Sequence, residues 1–274
     1  MSKRTVIFTD LDGALLDGRS YSWRAAEEAL AELDRRDVPL VFCTSKTRVE
    51  VEELRRKLDN GHPFITENGG GIFIPDGYFP SAMERASRVG RYHCIALGRP
   101  YREIVEQLER ISAEAGAPVV GFHQMSAREI AANTGLDLHH AALAREREFD
   151  EPFFFAGATP AAENGFFELV REAGLIVARG DRFFHLFAGS DKGRAIRELS
   201  KLYRKAARDH IQIVAVGSSA NDLPMLASAD VAVLIPFARG QYDSEILARL
   251  PMAHLAARSG PSGWNESVLR VLRA

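Results

Sequence analysis

The sequence predicts an α/β protein: a doubly wound, mainly parallel sheet with an inserted α+β domain. Three observations carry this. Short apolar runs alternate with helical patterns over residues 5–75 and again over 191–235, the β-α-β grammar of a wound sheet. Between them the texture changes to short strand-helix-strand units with hairpin-like ends. And the first apolar run, Val6-Ile7-Phe8, meets Asp10, Asp12 and Gly13 at once, as a buried parallel strand does on reaching the edge where such sheets bind ligands.

The elements follow in order. Residues 5–9 read as the first strand. Ser22 is a cap for a helix over 23–36 that turns Trp23, Ala26, Leu30 and Leu33 to one side. A strand over 39–43 stops at Thr44-Ser45, and a helix over 47–58 follows with Val51, Leu54 and Leu58 inward. Strands over 63–66 and 71–75 flank Glu67-Asn68-Gly69-Gly70, a strong turn signal. The changed region then holds a strand at 92–97, a helix at 100–115, a strand at 119–122 and a Ser126/Glu129 capping box. A helix at 138–147, a strand from Pro152 to Ala156, a helix opened by Thr159-Pro160 and strands at 175–178 and 183–187 complete it. A helix at 191–207, a strand at 211–216, a short helix at 222–228, a strand at 231–235 and an amphipathic helix at 262–273 resume the wound pattern. The expected division is a core of residues 1–83 and 189–274 with an insert of residues 84–188.

Composition sets bounds. The chain has 274 residues, 46% hydrophobic and 26% charged, the balance of a globular protein. A net charge of -2 lacks the basic excess of a general nucleic-acid binder. No apolar run approaches the ~18–20 residues that span a bilayer, and Asp10 and Asp12 interrupt the one apolar stretch near the amino terminus too early for a signal peptide. Cys43 and Cys94 each lie in an apolar segment and read as small core residues. A cytoplasmic enzyme, monomer or homodimer, acting on a small molecule without a membrane or nucleic-acid partner is the expectation.

Because side chains alternate along a strand, Asp10 and Asp12 point the same way. Two converging carboxylates need a cation, a shared proton or a dense hydrogen-bond network, and a divalent metal with oxygen ligands, Mg²⁺, is the commonest relief. The bland alternative is a polar strand end. Three more segment ends shift the balance: Thr44-Ser45, the helix start Asp191-Lys192, and Asn221-Asp222. Hydroxyls, an ammonium, carboxylates and an amide together suit phosphoryl transfer, which demands positioning and charge neutralisation. Thr44 and Ser45 also stand where a helix N-terminus would aim N–H groups at an anion.

The segment VIFTDLDGALLD resembles the first motif of the haloacid-dehalogenase-type phosphatases, with Thr44, Lys192 and Asn221-Asp222 where the other motifs belong. More narrowly, TSKTR at 44–48, ENGGG at 67–71, GSDKG at 189–193, NDLPML at 221–226 and GWNE at 263–266 resemble the mannosyl-3-phosphoglycerate phosphatases, which remove phosphate from a glycosylated 3-phosphoglycerate in compatible-solute synthesis. In the insert the resemblance rests on Pro100-Tyr101-Arg102 and Arg182-Phe183-Phe184-His185. It implies that Asp10 is the nucleophile, Asp12 the general acid and base, and Thr44 and Lys192 the holders of the phosphoryl oxygens. It further implies Mg²⁺ on Asp10, the Asp12 carbonyl and groups around Asp222, under a cap that reads the organic part of the substrate. Another sugar phosphate or small phosphoacid is the alternative substrate, and a catalytically weak phospho-ligand-binding relative the alternative class.

Two departures stand out. Ala14 replaces the usual Thr or Val, and Ser218 replaces an acid that is commonly a direct metal ligand. Losses even behind a metal site weaken binding roughly 10–100-fold. With water or Asp222 filling the gap, a weaker metal site is expected rather than none. Lys46 and Arg48 are candidates for steering an anionic substrate, or plain helix residues. Glu67, Asn68, Gly69 and the following glycines make a tight turn or touch substrate. Arg102 at a helix start opposes the helix dipole, which favours an anionic partner; a surface salt bridge is the other reading. His185 alternates within an apolar strand, either half-buried and satisfied or on the substrate. His139-His140 read as solvated.

Overall fold

The computed structural model, describing residues 4–80, 86–180, 183–207 and 210–273, opens with β1 (Arg4–Thr9), a 3-10 turn and α1 (Glu27–Arg35). There follow β2 (Leu40–Cys43), α2 (Arg48–Lys57), β3 (Phe64–Thr66), β4 (Gly71–Pro75), β5 (Ser87–Val89) and β6 (Tyr92–Ala96). The next stretch comprises α3 (Tyr101–Ala115), β7 (Val119–Gly121), α4 (Ala127–Thr134), α5 (Leu138–Ala144), β8 (Asp150–Phe155), α6 (Pro160–Glu172), β9 (Leu175–Arg179) and β10 (Phe184–Ala188). The chain ends with α7 (Lys192–Ala207), β11 (Ile211–Gly217), α8 (Leu223–Leu226), β12 (Val231–Leu234), α9 (Ser244–Arg249), β13 (His254–Leu255) and α10 (Gly260–Arg273).

The large sheet runs β13-β12-β11-β1-β2-β3-β4-β6-β5. It is parallel from β13 to β3 and antiparallel beyond. From β1 the chain winds outward through β2 on one side, while β11 lies on the other, so β1 and β11 bound the switch point where α/β sheets open a crevice. Alternation along β1 feeds two layers. Ile7 packs with α1 and α10 residues such as Ala29 and Trp264, whereas Val6 and Phe8 pack against Ala195, Ile196 and Leu199 of α7. A second, antiparallel sheet, β7-β8-β10-β9, covers α3 and α6 with Phe153, Leu186, Ile104, Leu108 and Phe166.

The GWNE segment holds the last helix to the first strand. The buried Trp264 indole donates to Thr9 Oγ1 at 2.9 Å, and Asn265 Oδ1 accepts the Ala29 N–H at 2.8 Å. Thr9 in turn donates to the Asp10 carbonyl at 2.7 Å, so α10 steadies the end of β1.

Several boundaries differ from expectation. α1 begins at Glu27 after a 3-10 turn, and the Ser22 hydroxyl accepts from Arg24 N rather than capping that helix. The strand at 92–97, assigned to the insert, is β6 and pairs with β4 in the large sheet, because Tyr92 and Cys94 complete its apolar layer. The division at 83/84 falls outside the described residues, but the change of sheet comes after β6. α5 stops at Ala144, β8 starts at the charged pair Asp150-Glu151, and the helix expected at 222–228 is a 3-10 turn followed by one turn of α8. The short elements β5, α9 and β13 had no periodicity long enough to announce them. Arg182 lies outside the described residues.

Two tests of this packing follow. Trp264→Phe leaves Thr9 Oγ1 without its buried donor and is expected to lower stability by about 1–3 kcal/mol in urea unfolding. In the second sheet, a hydrogen bond to Glu151 (2.7 Å) lifts the His123 imidazole above its usual value, against partial burial. Such a group stabilises fully below its unfolded value of about 6.5 and ceases to do so as pH rises through the folded one. Comparing unfolding midpoints at about pH 5 and about pH 8.5, His123→Phe should therefore lose more stability at the acid end.

Candidate active site

At the carboxyl edge of β1 the buried Lys192 ammonium lies between two carboxylates, 2.8 Å from Asp10 Oδ1 and 2.6 Å from Asp222 Oδ1. Asp10 follows the last residue of β1, Lys192 is the first residue of α7, and Asp222 closes the 3-10 turn after β11. Burial would push the ammonium down, but Asp10 and Asp222 outweigh it and hold it well above its ordinary value. Asp10 is pushed up to about 7, first by burial and then by Asp222, with Lys192 opposing. Negative charge thus exceeds positive charge at the strand edge. Asp222 is anchored on its other side as well: Oδ2 accepts the N–H groups of Ser218 (2.8 Å) and Ser219 (3.2 Å).

Beside this bracket stands Asp12, whose Oδ2 pairs with Lys46 Nζ at 2.9 Å. Lys46 follows the buried Thr44, whose Oγ1 accepts the Lys46 N–H at 3.2 Å and whose carbonyl accepts the Asn68 N–H at 3.1 Å. Asn68 sits at φ +55°, next to Gly69 at φ +93°. A Cβ on Gly69 would overlap the main chain of Asp191 and Lys192, so only glycine lets this loop reach the start of α7. Asn221 Nδ2 lies 3.4 Å from Asn68 Oδ1. Asn68 Nδ2 donates at 2.6 Å to Asp150 Oδ2, which also meets His185 Nδ1 at 3.1 Å. The fold therefore gathers Asp10, Asp12, Thr44, Lys46, Asn68, Gly69, His185, Lys192, Ser218, Asn221 and Asp222 into one connected neighbourhood.

Other candidates go elsewhere. Arg102 is 91% exposed and pairs with Glu106 one turn along α3, in a surface salt bridge. Arg48 divides its guanidinium between Glu52 and Glu148 (both 2.8 Å), at the seam between the two sheets' domains rather than in the site. Ser45 offers its carbonyl to Arg147 at 2.8 Å. The expected helix N-terminus at Thr44-Ser45 is displaced. Thr47 caps α2 in a capping box with Glu50, which satisfies the N–H groups of Thr47 and Glu50 themselves. His139 pairs with Glu53 at 2.6 Å. The residues missed in the sequence are Arg147 and Asp150, both buried; the charged run just before an apolar strand was their signal.

Whether a Mg²⁺ ion suits this donor set can be tested on the geometry. Asp12 Oδ1 is buried with no hydrogen-bond partner among the described residues, and it adjoins a carboxylate raised to about 7. Orphaned anionic oxygen of this kind fits a hard cation. Among the described residues no three His, Cys, Asp or Glu side chains are grouped so that together they could hold a metal ion. Asp222, expected on the metal, has both oxygens hydrogen-bonded, Oδ1 to Lys192 and Oδ2 to the 218–219 N–H groups. A Cβ on Gly13 would lie 3.4 Å from Ser218 Oγ, so that hydroxyl adjoins the Asp12–Gly13 turn. The oxygens that could hold Mg²⁺ are the Asp10 carboxylate, the Asp12 carbonyl and the Ser218 hydroxyl, the rest of its shell being water.

Comparison with known proteins gives the family of the chain. Residues 7–79 match the haloacid dehalogenase-like hydrolase family. The chain is 40% identical over 267 residues to a glucosyl-3-phosphoglycerate/mannosyl-3-phosphoglycerate phosphatase of Methanococcoides burtonii, covering 97% of each chain. It is 38% identical over 268 residues to the protein of the same description from Persephonella marina, again covering 97% of each. The mannosyl-3-phosphoglycerate phosphatase of Pyrococcus horikoshii is 35% identical over 84% of this chain and 90% of its own. In fold, the sucrose-phosphatase of Synechocystis, solved with sucrose and phosphate, superposes with a TM-score of 0.61 at 15% identity over 98% of both chains. A phosphatase of the same superfamily from Bacteroides thetaiotaomicron gives 0.66 at 18% identity, over 98% of this chain and 95% of its own. The chain belongs to the haloacid dehalogenase-like hydrolases and, within them, to the mannosyl-3-phosphoglycerate phosphatase family.

Proposed function

We propose that this protein is a Mg²⁺-dependent phosphatase that hydrolyses mannosyl- or glucosyl-3-phosphoglycerate to the glycosylglycerate and phosphate. The observation that carries the reading is the Lys192 ammonium bracketed by Asp10 and Asp222 at the carboxyl edge of β1, with Asp12 and the Thr44 loop alongside. The substrate rests on full-length identity to phosphatases so named.

In this mechanism the free Asp10 oxygen attacks phosphorus, and the bond from phosphorus to the glycerate oxygen breaks as the aspartyl-phosphate forms. Asp12 gives its carboxyl proton to the departing alkoxide. As a carboxylate it then takes a proton from the water that attacks phosphorus, which frees Asp10 and inorganic phosphate. Lys192 and the Thr44 hydroxyl face the phosphoryl oxygens and offset their charge. The Asp10 carboxylate, the Asp12 carbonyl and the Ser218 hydroxyl would hold Mg²⁺, which would supply further charge neutralisation. The second sheet and its helices form the cap, with Asn68 and His185 facing the organic part of the substrate. A cytoplasmic setting accords with the two cysteines, both buried as thiols.

Phosphate release from the two glycosyl phosphoglycerates, against a panel of other sugar phosphates, tests the substrate. Turnover of the panel alone would replace it. Asp10→Asn removes the nucleophile and should abolish release, whereas residual activity near wild type would remove the mechanism. Ser218→Asp restores a carboxylate beside Gly13 and is expected to lower the half-saturating Mg²⁺ concentration by about 10–100-fold in a metal titration. A large gain in turnover as well would mark the natural chain as a weak enzyme and favour a phospho-ligand-binding role.

A further inference from the structure

The mechanism above makes no use of a group of buried charges at the junction of the two sheets. Glu67, Asp150 and Arg147 are all at least nine-tenths buried. The Glu67 carboxylate accepts N–H groups from three consecutive residues of the insert, Glu148 (3.0 Å), Phe149 (2.7 Å) and Asp150 (2.9 Å). Arg147 pairs with Asp150 Oδ1 and reaches back to the Ser45 carbonyl at 2.8 Å. Phe149 packs into the core's apolar layer, where a Cβ on Gly70 would overlap its ring. The middle of the insert is therefore tied into the core far in sequence from either chain crossing.

Three observations give that tie a direction. Asp150 is buried, which alone would raise its carboxyl, yet Arg147, His185 and Asn68 hold it below the ordinary range. Its Oδ2 receives the Asn68 amide from the core at 2.6 Å and meets the His185 ring of the insert at 3.1 Å. Asn68 then has its carbonyl oxygen turned to Asn221 Nδ2 and its N–H on the Thr44 carbonyl. An amide that donates to a carboxylate cannot flip without setting its carbonyl oxygen against that anion. So Asp150 fixes which way Asn68 faces, and Asn68 joins the Thr44 and Asn221 loops.

We propose that Asp150, seated by Glu67, is a positioning residue for the reaction: it orients the Asn68 amide on the core side and the His185 imidazole on the insert side of the substrate site. The cap then supplies one wall of that site, and its hydrogen bonds order the loops that hold the phosphoryl group. The idea rests on the proposed phosphatase reading only where activity is the readout.

Asp150→Asn is the discriminating variant. It keeps the shape, but with its oxygen turned to Arg147 it sets an NH₂ group against the Asn68 amide, donor to donor. In side-chain amide NMR, with the Asn68 signal identified by its loss in Asn68→Ser, the wild-type Asn68 NH₂ should exchange slowly and resonate away from exposed amides. In Asp150→Asn it should exchange at least about tenfold faster. Glu67→Gln, the milder perturbation, should shift it in the same direction and serves if Asp150→Asn does not fold. In the activity arm, Asp150→Asn should lower kcat/KM for glucosyl-3-phosphoglycerate about 10–100-fold, the scale of a misplaced contact. In an Asn68→Ser, His185→Ala background the same change should cost less than about 3-fold, since its effect passes through those two side chains. An unchanged Asn68 signal in both variants, or losses in kcat/KM that simply multiply, would overturn the inference. A wild-type protein with no turnover of either glycosyl phosphoglycerate would instead remove the substrate assignment and leave the NMR signature to decide the positioning role.

Discussion

A single buried ammonium organises this molecule. Lys192 lies inside the protein with an acid on each side, and neither partner is tolerable there without it: isolated buried charge is expensive, and breaking such a set strands the remainder. The requirement is architectural. It brings the end of β1, the first residue of α7 and the turn after β11 to one point, at the switch point of the parallel sheet. Two acids face one ammonium; burial and then Asp222 raise the Asp10 carboxyl, and Asp12 Oδ1 has no hydrogen-bond partner among the described residues. A site so poised attracts a hard cation, and the cation together with the ammonium gives an anionic phosphoryl group something to meet.

The same principle recurs at the junction between the sheets, with different chemistry. There the charges are fully enclosed by protein groups: main-chain N–H donors face Glu67, while Arg147, Asn68 and His185 surround Asp150. Nothing is left over for a ligand ion. The first cluster is arranged for reaction and the second for registration, and Asn68 is the residue through which the two touch. Its positive φ, like that of Glu67 before it, marks a backbone bent into a sparsely populated region by the contacts around it.

Much of the catalytic kit was legible because it is written locally. Asp10 and Asp12 end an apolar strand, and Lys192 and Asp222 open the segments after later turns; strand periodicity and turn residues mark such places without reference to distant neighbours. Some local signals were read with the wrong weight. The Thr47-x-x-Glu50 capping box starts α2 where the sequence puts the helix, so Thr44-Ser45 precede it rather than forming its N-terminus. Arg102 has an acid four residues on, which answers its charge within its own helix. β6 reads as an ordinary strand in either domain, and only its pairing with β4 assigns it.

The sequence by itself determined the order of strands and helices, the two-part organisation and the identity of the groups at the strand ends, since these follow from short-range patterns of apolar, turn and capping residues. Tertiary structure alone decided which of those groups meet. Lys192 and Asp10 are 182 positions apart, Asn68 and Asp150 are 82 apart, and Asp222 meets Lys192 and two loop N–H groups. Hydrogen bonding and charge compensation act through a few ångströms of space rather than along the chain, so the partner of a buried charge is known only once the fold has brought it there.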